Sequence, residues 1–151
     1  MIRIAFALLA LGCVEPTAAT PTLGSTPAVK SQDNGVSTFS IDPSRHTIYV
    51  RFAGLQDDGR EPIHVLIRRM FESADAVSAE KLIVDLRGIS GGDAKVLVPL
   101  IRGIMARDRF LRSGALYVVL GPDSYSPVQS AATLLSQYAK PIMVQRLQWS
   151  F

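Results

Sequence analysis

The hydrophobic positions of the chain change period along its length. In residues 47–53 (TIYVRFA), Ile48, Val50 and Phe52 alternate with Tyr49 and Arg51, which predicts a half-buried strand. Asp57, Asp58 and Gly59 then interrupt the chain. Beyond them Ile63, Leu66, Ile67, Met70, Phe71, Ala74 and Val77 recur at helical spacing. They form one apolar face of a helix that starts near Glu61-Pro62, where the first turn tolerates proline. Residues 81–86 (KLIVDL) are a short apolar run and predict a buried strand. Leu97, Val98, Ile101, Ile104 and Met105 mark a second helix, with Pro99 inside its first turns or kinking it. Residues 115–120 (ALYVVL) predict a third buried strand. Val128, Ala131, Ala132, Leu135 and Tyr138 mark a third helix, and residues 141–144 open a last strand.

Strands and helices that alternate at this length predict an α/β fold, a mostly parallel sheet with flanking helices. In such sheets ligands collect at the carboxyl ends of the strands. Two turns fall there. The first runs from Asp85 through Arg87 and Gly88 to Gly91, Gly92 and Asp93. A strand that runs into glycines and then a helix offers backbone N–H groups to an anion or oxyanion, and glycine lets another chain approach. The plainer reading is a tight strand–helix turn with Asp85 paired to Arg87. The turn is neither a Walker loop nor the Rossmann glycine triplet.

The second turn, residues 121–129 (GPDSYSPVQ), puts Ser126 at a strand-to-helix corner, where several unrelated hydrolases expose a nucleophilic serine. Ser126 is equally suited to be an N-cap. Pro127 would then be the first helical residue and Gln129 would complete a Ser-x-x-Gln capping box.

Residues 1–13 read as a bacterial secretory leader: Arg3, an apolar run from Ile4 to Leu11, then Gly12-Cys13. The approach to Cys13 resembles a lipoprotein signal-peptidase site, which makes Cys13 the candidate lipidation site. Ala10 and Leu11 depart from the usual residues there. The alternative is a buried N-terminal element with a chance cysteine. Residues 14–45 follow as a Pro/Thr/Ser-rich linker, with Pro16, Pro21 and Pro27 among small residues and no period of either kind. The folded domain is expected over 46–151.

Composition narrows the function classes. The chain has 151 residues, 48% of them hydrophobic, which suits one globular domain and excludes disorder over its whole length. Its net charge of +3 is too small and too scattered to expect a nucleic-acid partner. The cations between Arg102 and Arg112 read as a solvated helix end. One cysteine, Cys13, and two histidines, His46 and His64, are too few for a disulfide or a structural zinc site. No run reaches the roughly 18 apolar residues of a membrane span. The membrane enters only through a lipid on Cys13, and no cofactor is expected.

VDLRGISGG, followed after a helix and a strand by SYSPVQSAATLL, resembles the core of the tail-specific (C-terminal-processing) serine peptidase family. Members carry a D-L-R-G-N-x-G-G turn and then a T-x-S-A-A elbow that holds the nucleophile. TIYVRFAGLQDD is similar to a strand of a PDZ-less bacterial branch, and the likeness spans residues 46–144. It implies a crotonase/Clp-protease-like fold that is incomplete at its C-terminus. It also implies Ser126 at the nucleophile position, Gly91 and Gly92 at the oxyanion turn, a peptide or protein substrate, and a location in the cell envelope or outside it.

The resemblance also implies an impaired site. Ile89 stands where the family has Asn, and Pro127 has no N–H to give the oxyanion. The family's lysine base comes from beyond the strand that follows the elbow, and Lys140 is too early to match it. Residues 145–151 (QRLQWSF) match no family turn, as in a truncated or frame-shifted fragment. The expectation is an exported serine peptidase-like domain. A non-catalytic peptide- or ligand-binding module, or an inactive fragment, is the alternative.

Overall fold

The computed structural model describes residues 35–57, 61–89, 91–122, 124 and 126–145. The leader with Cys13, the linker up to residue 34 and the tail from residue 146 lie outside the described residues. The elements are β1 (Thr38–Asp42), β2 (Thr47–Arg51), α1 (Ile63–Ala76), β3 (Lys81–Asp85), α2 (Val98–Met105), α3 (Asp108–Leu111), β4 (Leu116–Leu120), α4 (Ser126–Ala139) and β5 (Ile142–Gln145). They build one sheet in the order β1-β2-β3-β4-β5. β1 runs antiparallel to β2, and the other pairs are parallel. The architecture is α/β, a five-stranded, mostly parallel sheet with flanking helices.

The pleat explains which residues the helices cover. Ile48 and Val50, Leu82 and Val84, Leu116 and Val118 stand on one face, and all are buried. They share a single core with Leu66, Ile67 and Met70 of α1, Leu100 and Ile104 of α2, and Val128 and Leu135 of α4. Tyr49, Ile83, Tyr117 and Val119 point the other way and are half-buried. Phe39 and Ile41 lie opposite Val50 and Ile48, so β1 extends the core face.

β1 corrects the expected linker, which ran to residue 45. Only Phe39 and Ile41 are apolar in β1, too short a pattern to stand out from a Pro/Thr/Ser-rich stretch. What orders it is pairing with β2 through a tight connection. In that connection Asp42 accepts a bond from the Arg45 N–H (3.2 Å), and His46 adopts the left-handed conformation.

Pro62 immediately precedes α1, and the first helical N–H, from Ile63, is satisfied by Asp57 Oδ1 at 2.9 Å. Pro99 is tolerated in the first turn of α2, after a 3-10 turn at Ala94–Leu97, and does not kink it. α3 has four residues, too few to be helical by propensity. Burying the Phe110 side chain completely contributes about 2–3 kcal/mol, which outweighs that deficit.

The expected solvated cations between Arg102 and Arg112 are corrected in part. The Arg107 and Arg109 side chains are only 21% and 28% exposed, and both bind the Asp75 carboxylate at the end of α1. Arg107 lies over the Phe71 ring (4.4 Å to its centroid) and Arg109 over the Phe110 ring (4.9 Å). A tertiary acceptor 32 and 34 residues earlier in the chain captures them, which local spacing does not reveal.

Candidate functional site

The turns after β3 and β4 meet at the carboxyl edge of the sheet. Between them opens a cleft of about 750 Å³, lined by Gly92, Asp93, Ala94 and Lys95 on one side. Ser126, Pro127, Gln129, Ser130, Thr133 and Leu134 of α4 line the other. Gly92 and Ser126, both singled out from sequence, line this one cleft. Gly91 is not among the lining residues. Sequence reasoning did not single out Lys95, Asp93, Ser130 or Thr133. Ser126, Ser130 and Thr133 are spaced so that one face of α4 presents three hydroxyls, a polar stripe that the search for apolar periods passed over.

The glycine turn is held by Leu55. The Leu55 N–H donates to Gly91 O (3.3 Å), and the Asp93 N–H donates to Leu55 O (2.8 Å). In such a parallel bridge the bonds come from the residues flanking Gly92, so Gly92's own N–H points away from Leu55. Gly92 also lines the cleft. Gly92 has φ +116°, and a Cβ there would overlap the Leu55 carbonyl. Nothing lies within 4 Å of a Cβ built at Gly91.

The start of α4 differs from the expected capping box. Ser126 is its first helical residue and is exposed. Ser124 does the bonding instead. Its hydroxyl accepts from the Gly121 N–H (3.1 Å) and donates to Gly121 O (2.9 Å), while its carbonyl accepts from Gln129 Nε2 (3.2 Å). Ser126 lines the cleft, and its hydroxyl has no hydrogen bond to another described residue.

Beneath the first turn, Asp85 pairs with Arg87, as the plainer reading of that turn expected. The Asp85 side chain is fully buried, and Arg87 grips it through Nε (2.9 and 3.0 Å), Nη2 (2.6 Å) and its backbone N–H (3.0 Å). The Tyr49 hydroxyl donates to the same carboxylate, a link that the position of Tyr49 on the far face concealed. Burial pushes the Asp85 pKa up, but the bonds from Arg87 and Tyr49 more than offset it and hold the carboxyl below its usual range. Burial first, and then its bond to Asp85, raise the Tyr49 pKa. Gly121 packs against Arg87, so this ion pair also braces the second turn. Ile89, where the resembled family has Asn, is buried in the core and leaves that position without a polar group.

Of the charged side chains on the cleft, Lys95 is a cation and Asp93 is committed to its own turn, where it accepts from the Lys95 N–H at 2.9 Å. Lys140 follows the far end of α4, about 20 Å from Ser126 along a helix of this length, and cannot reach it. The arrangement offers a hydroxyl and a polar trough; among the described residues that line it there is no histidine, and the one carboxylate, Asp93, is engaged in its own turn.

No protein-family model matches the chain, and no curated protein matches it.

Proposed function

We propose that the chain is an exported serine-peptidase-like domain of the tail-specific (C-terminal-processing) type, on a crotonase/Clp-protease-like scaffold, whose cleft receives a peptide. The observation that carries the reading is the convergence of Gly92 and Ser126 on one cleft at the carboxyl edge of the sheet. In that chemistry the Ser126 Oγ adds to the peptide carbonyl carbon, its proton passes to a base, and the Gly92 N–H faces the developing oxyanion. The leader and Cys13 belong to the same reading, which puts the domain in the cell envelope, with or without a lipid anchor. Mass analysis of the mature protein tests that part: loss of residues 1–12 is expected, and a retained Met1 on a cytosolic protein refutes it.

Two features favour holding a peptide over cleaving it. Pro127 removes a donor, and one missing oxyanion donor costs about 3 kcal/mol, or ~100-fold in rate. No described residue on the cleft is placed as a general base, and the lack of one would remove about 100-fold more, the two losses not necessarily adding. The second reading, a non-catalytic peptide-binding module, rests on these features.

A fluorophosphonate probe should leave the full chain unlabelled. Labelling that disappears in Ser126→Ala would instead make the chain an active hydrolase. Photoreactive peptides should crosslink to residues 92–95 and 126–134. Crosslinks confined to other segments would sink both readings.

A further inference from the structure

The opposite edge of the sheet, where β3 and β4 begin, carries a second, smaller pocket of about 150 Å³ beside Lys81, Arg109, Arg112, Ser113 and Gly114. We propose that it binds a single phosphate group, either of inorganic phosphate or of a phospholipid headgroup. The proposal is independent of the peptidase reading, since pocket and cleft lie at opposite ends of the strands.

Charge points to an anion. Lys81 and Arg112 are exposed and have no ion-pair partner among the described residues. Arg109 forms a fixed wall: Asp75 holds its Nη2, and Phe110 lies under its guanidinium. Asp75 already serves Arg107 as well, so one carboxylate balances two guanidinium groups. Glu80 is the one carboxylate on this pocket, against three cations. Arginine suits phosphate because its planar donors match two oxygens at once.

Backbone donors point the same way, while Arg109 Nε, buried and without a hydrogen-bond partner, is shut off from the pocket surface and leaves Arg109 to contribute its charge. The turn before β4 bonds the Ala115 N–H to Arg112 O (3.1 Å), and Gly114 takes φ +78°. Neither Ser113 nor Gly114 gives its N–H to another described backbone group. Successive free N–H groups in such a turn make a concavity that suits anions. The volume matches as well, since about five waters at ~30 Å³ each would fill it, and phosphate has as many heavy atoms.

The test uses the full chain and two probes. Inorganic phosphate, titrated at constant ionic strength, should move the Ser113 and Gly114 amide resonances. Arg112→Glu and Lys81→Glu should each weaken that binding at least tenfold. Lys95→Glu, at the other edge of the sheet, should change it less than twofold. In the second arm, phosphatidylcholine vesicles with and without phosphatidic acid are co-sedimented with the protein. Capture that needs phosphatidic acid and is lost in Arg112→Glu assigns the site to a lipid phosphate, whereas response to inorganic phosphate alone assigns it to a soluble one. The proposal is overturned if chloride moves the same resonances equally, or if phosphate-induced shifts fall elsewhere. It is also overturned if neither probe binds in an Arg112-dependent way.

Discussion

Asp85 and Arg87, two residues apart at the end of β3, form a pair whose aspartate is fully buried while the arginine side chain is half in water. That asymmetry predicts unequal costs. Removing one partner of a buried pair usually costs 3–5 kcal/mol, about what an uncompensated buried charge is worth. In Asp85→Asn the orphaned charge is on Arg87, which can turn to solvent, so the expected loss falls below that range, to about 2–3 kcal/mol. Tyr49→Phe removes one donor to the same carboxylate and should cost about 1 kcal/mol. Urea denaturation of Asp85→Asn and Tyr49→Phe beside the parent decides the matter. Equal losses would show that the network is not centred on Asp85.

Gly91 and Gly92 look equivalent in sequence but not in space. At Gly92 an alanine combines a left-handed φ with overlap on the Leu55 carbonyl, and the expected cost is about 2–4 kcal/mol. At Gly91 an added methyl meets nothing, and the change should stay within about 0.5 kcal/mol. Denaturation midpoints for Gly92→Ala and Gly91→Ala check this. A neutral Gly92→Ala would mean that the Leu55 bridge does not form.

Much of this was legible in the sequence. The three longer helices were legible from apolar positions three and four apart, β2 from its alternation, β3 and β4 as short apolar runs with buried faces, and β5 only as the apolar residues after Pro141. β1 was not, because two apolar residues gain their order only from β2. The candidate cleft was legible at the level of turns, since both breaks follow buried strands and parallel strands bring their carboxyl ends together. Its details depended on tertiary contacts. Ser124 rather than Ser126 makes the bonds at the start of α4, and Lys95 reaches the cleft only because a 3-10 turn precedes α2. The pairing of Arg107 and Arg109 with Asp75 escaped for the same reason, as acceptor and donors are distant along the chain.

Asp75 should shape the acid limb of stability. Hydrogen bonds from Arg107, opposed by some burial and joined by those from Arg109, lower its pKa from 3.8 to about 2. The folded state thus keeps the charge where the unfolded chain is already taking up a proton. The contribution is complete above the unfolded pKa and disappears as pH falls from about 4 to about 2. The carboxylate is 45% exposed, so solvent screening reduces the expected contribution to about 1 kcal/mol or less. Asp75→Asn should therefore be less stable than the parent at pH 6 and should lose less between pH 4 and pH 2. Parallel pH curves for the two proteins would contradict it.

Gly103 and Phe71 allow a test in which two effects oppose each other. Alanine in the middle of α2 should gain about 1 kcal/mol over glycine from helix propensity alone. Its methyl, however, would overlap the Phe71 ring. That ring is buried between Phe110, at 6.3 Å between centroids, and the Arg107 guanidinium, so it cannot swing aside without disturbing both. Overpacking of this kind costs about 1–3 kcal/mol, and with two neighbours to displace, the upper end applies, so Gly103→Ala should be destabilised by about 1–2 kcal/mol net. Phe71→Leu, which shortens the obstructing side chain, should by itself cost about 1 kcal/mol, yet in the Gly103→Ala background it should cost nothing or restore stability. The measurement is a double-mutant cycle by urea denaturation. A coupling of about 1 kcal/mol or more in favour of the double mutant is expected. Additive losses would mean that the two helices do not meet at this contact.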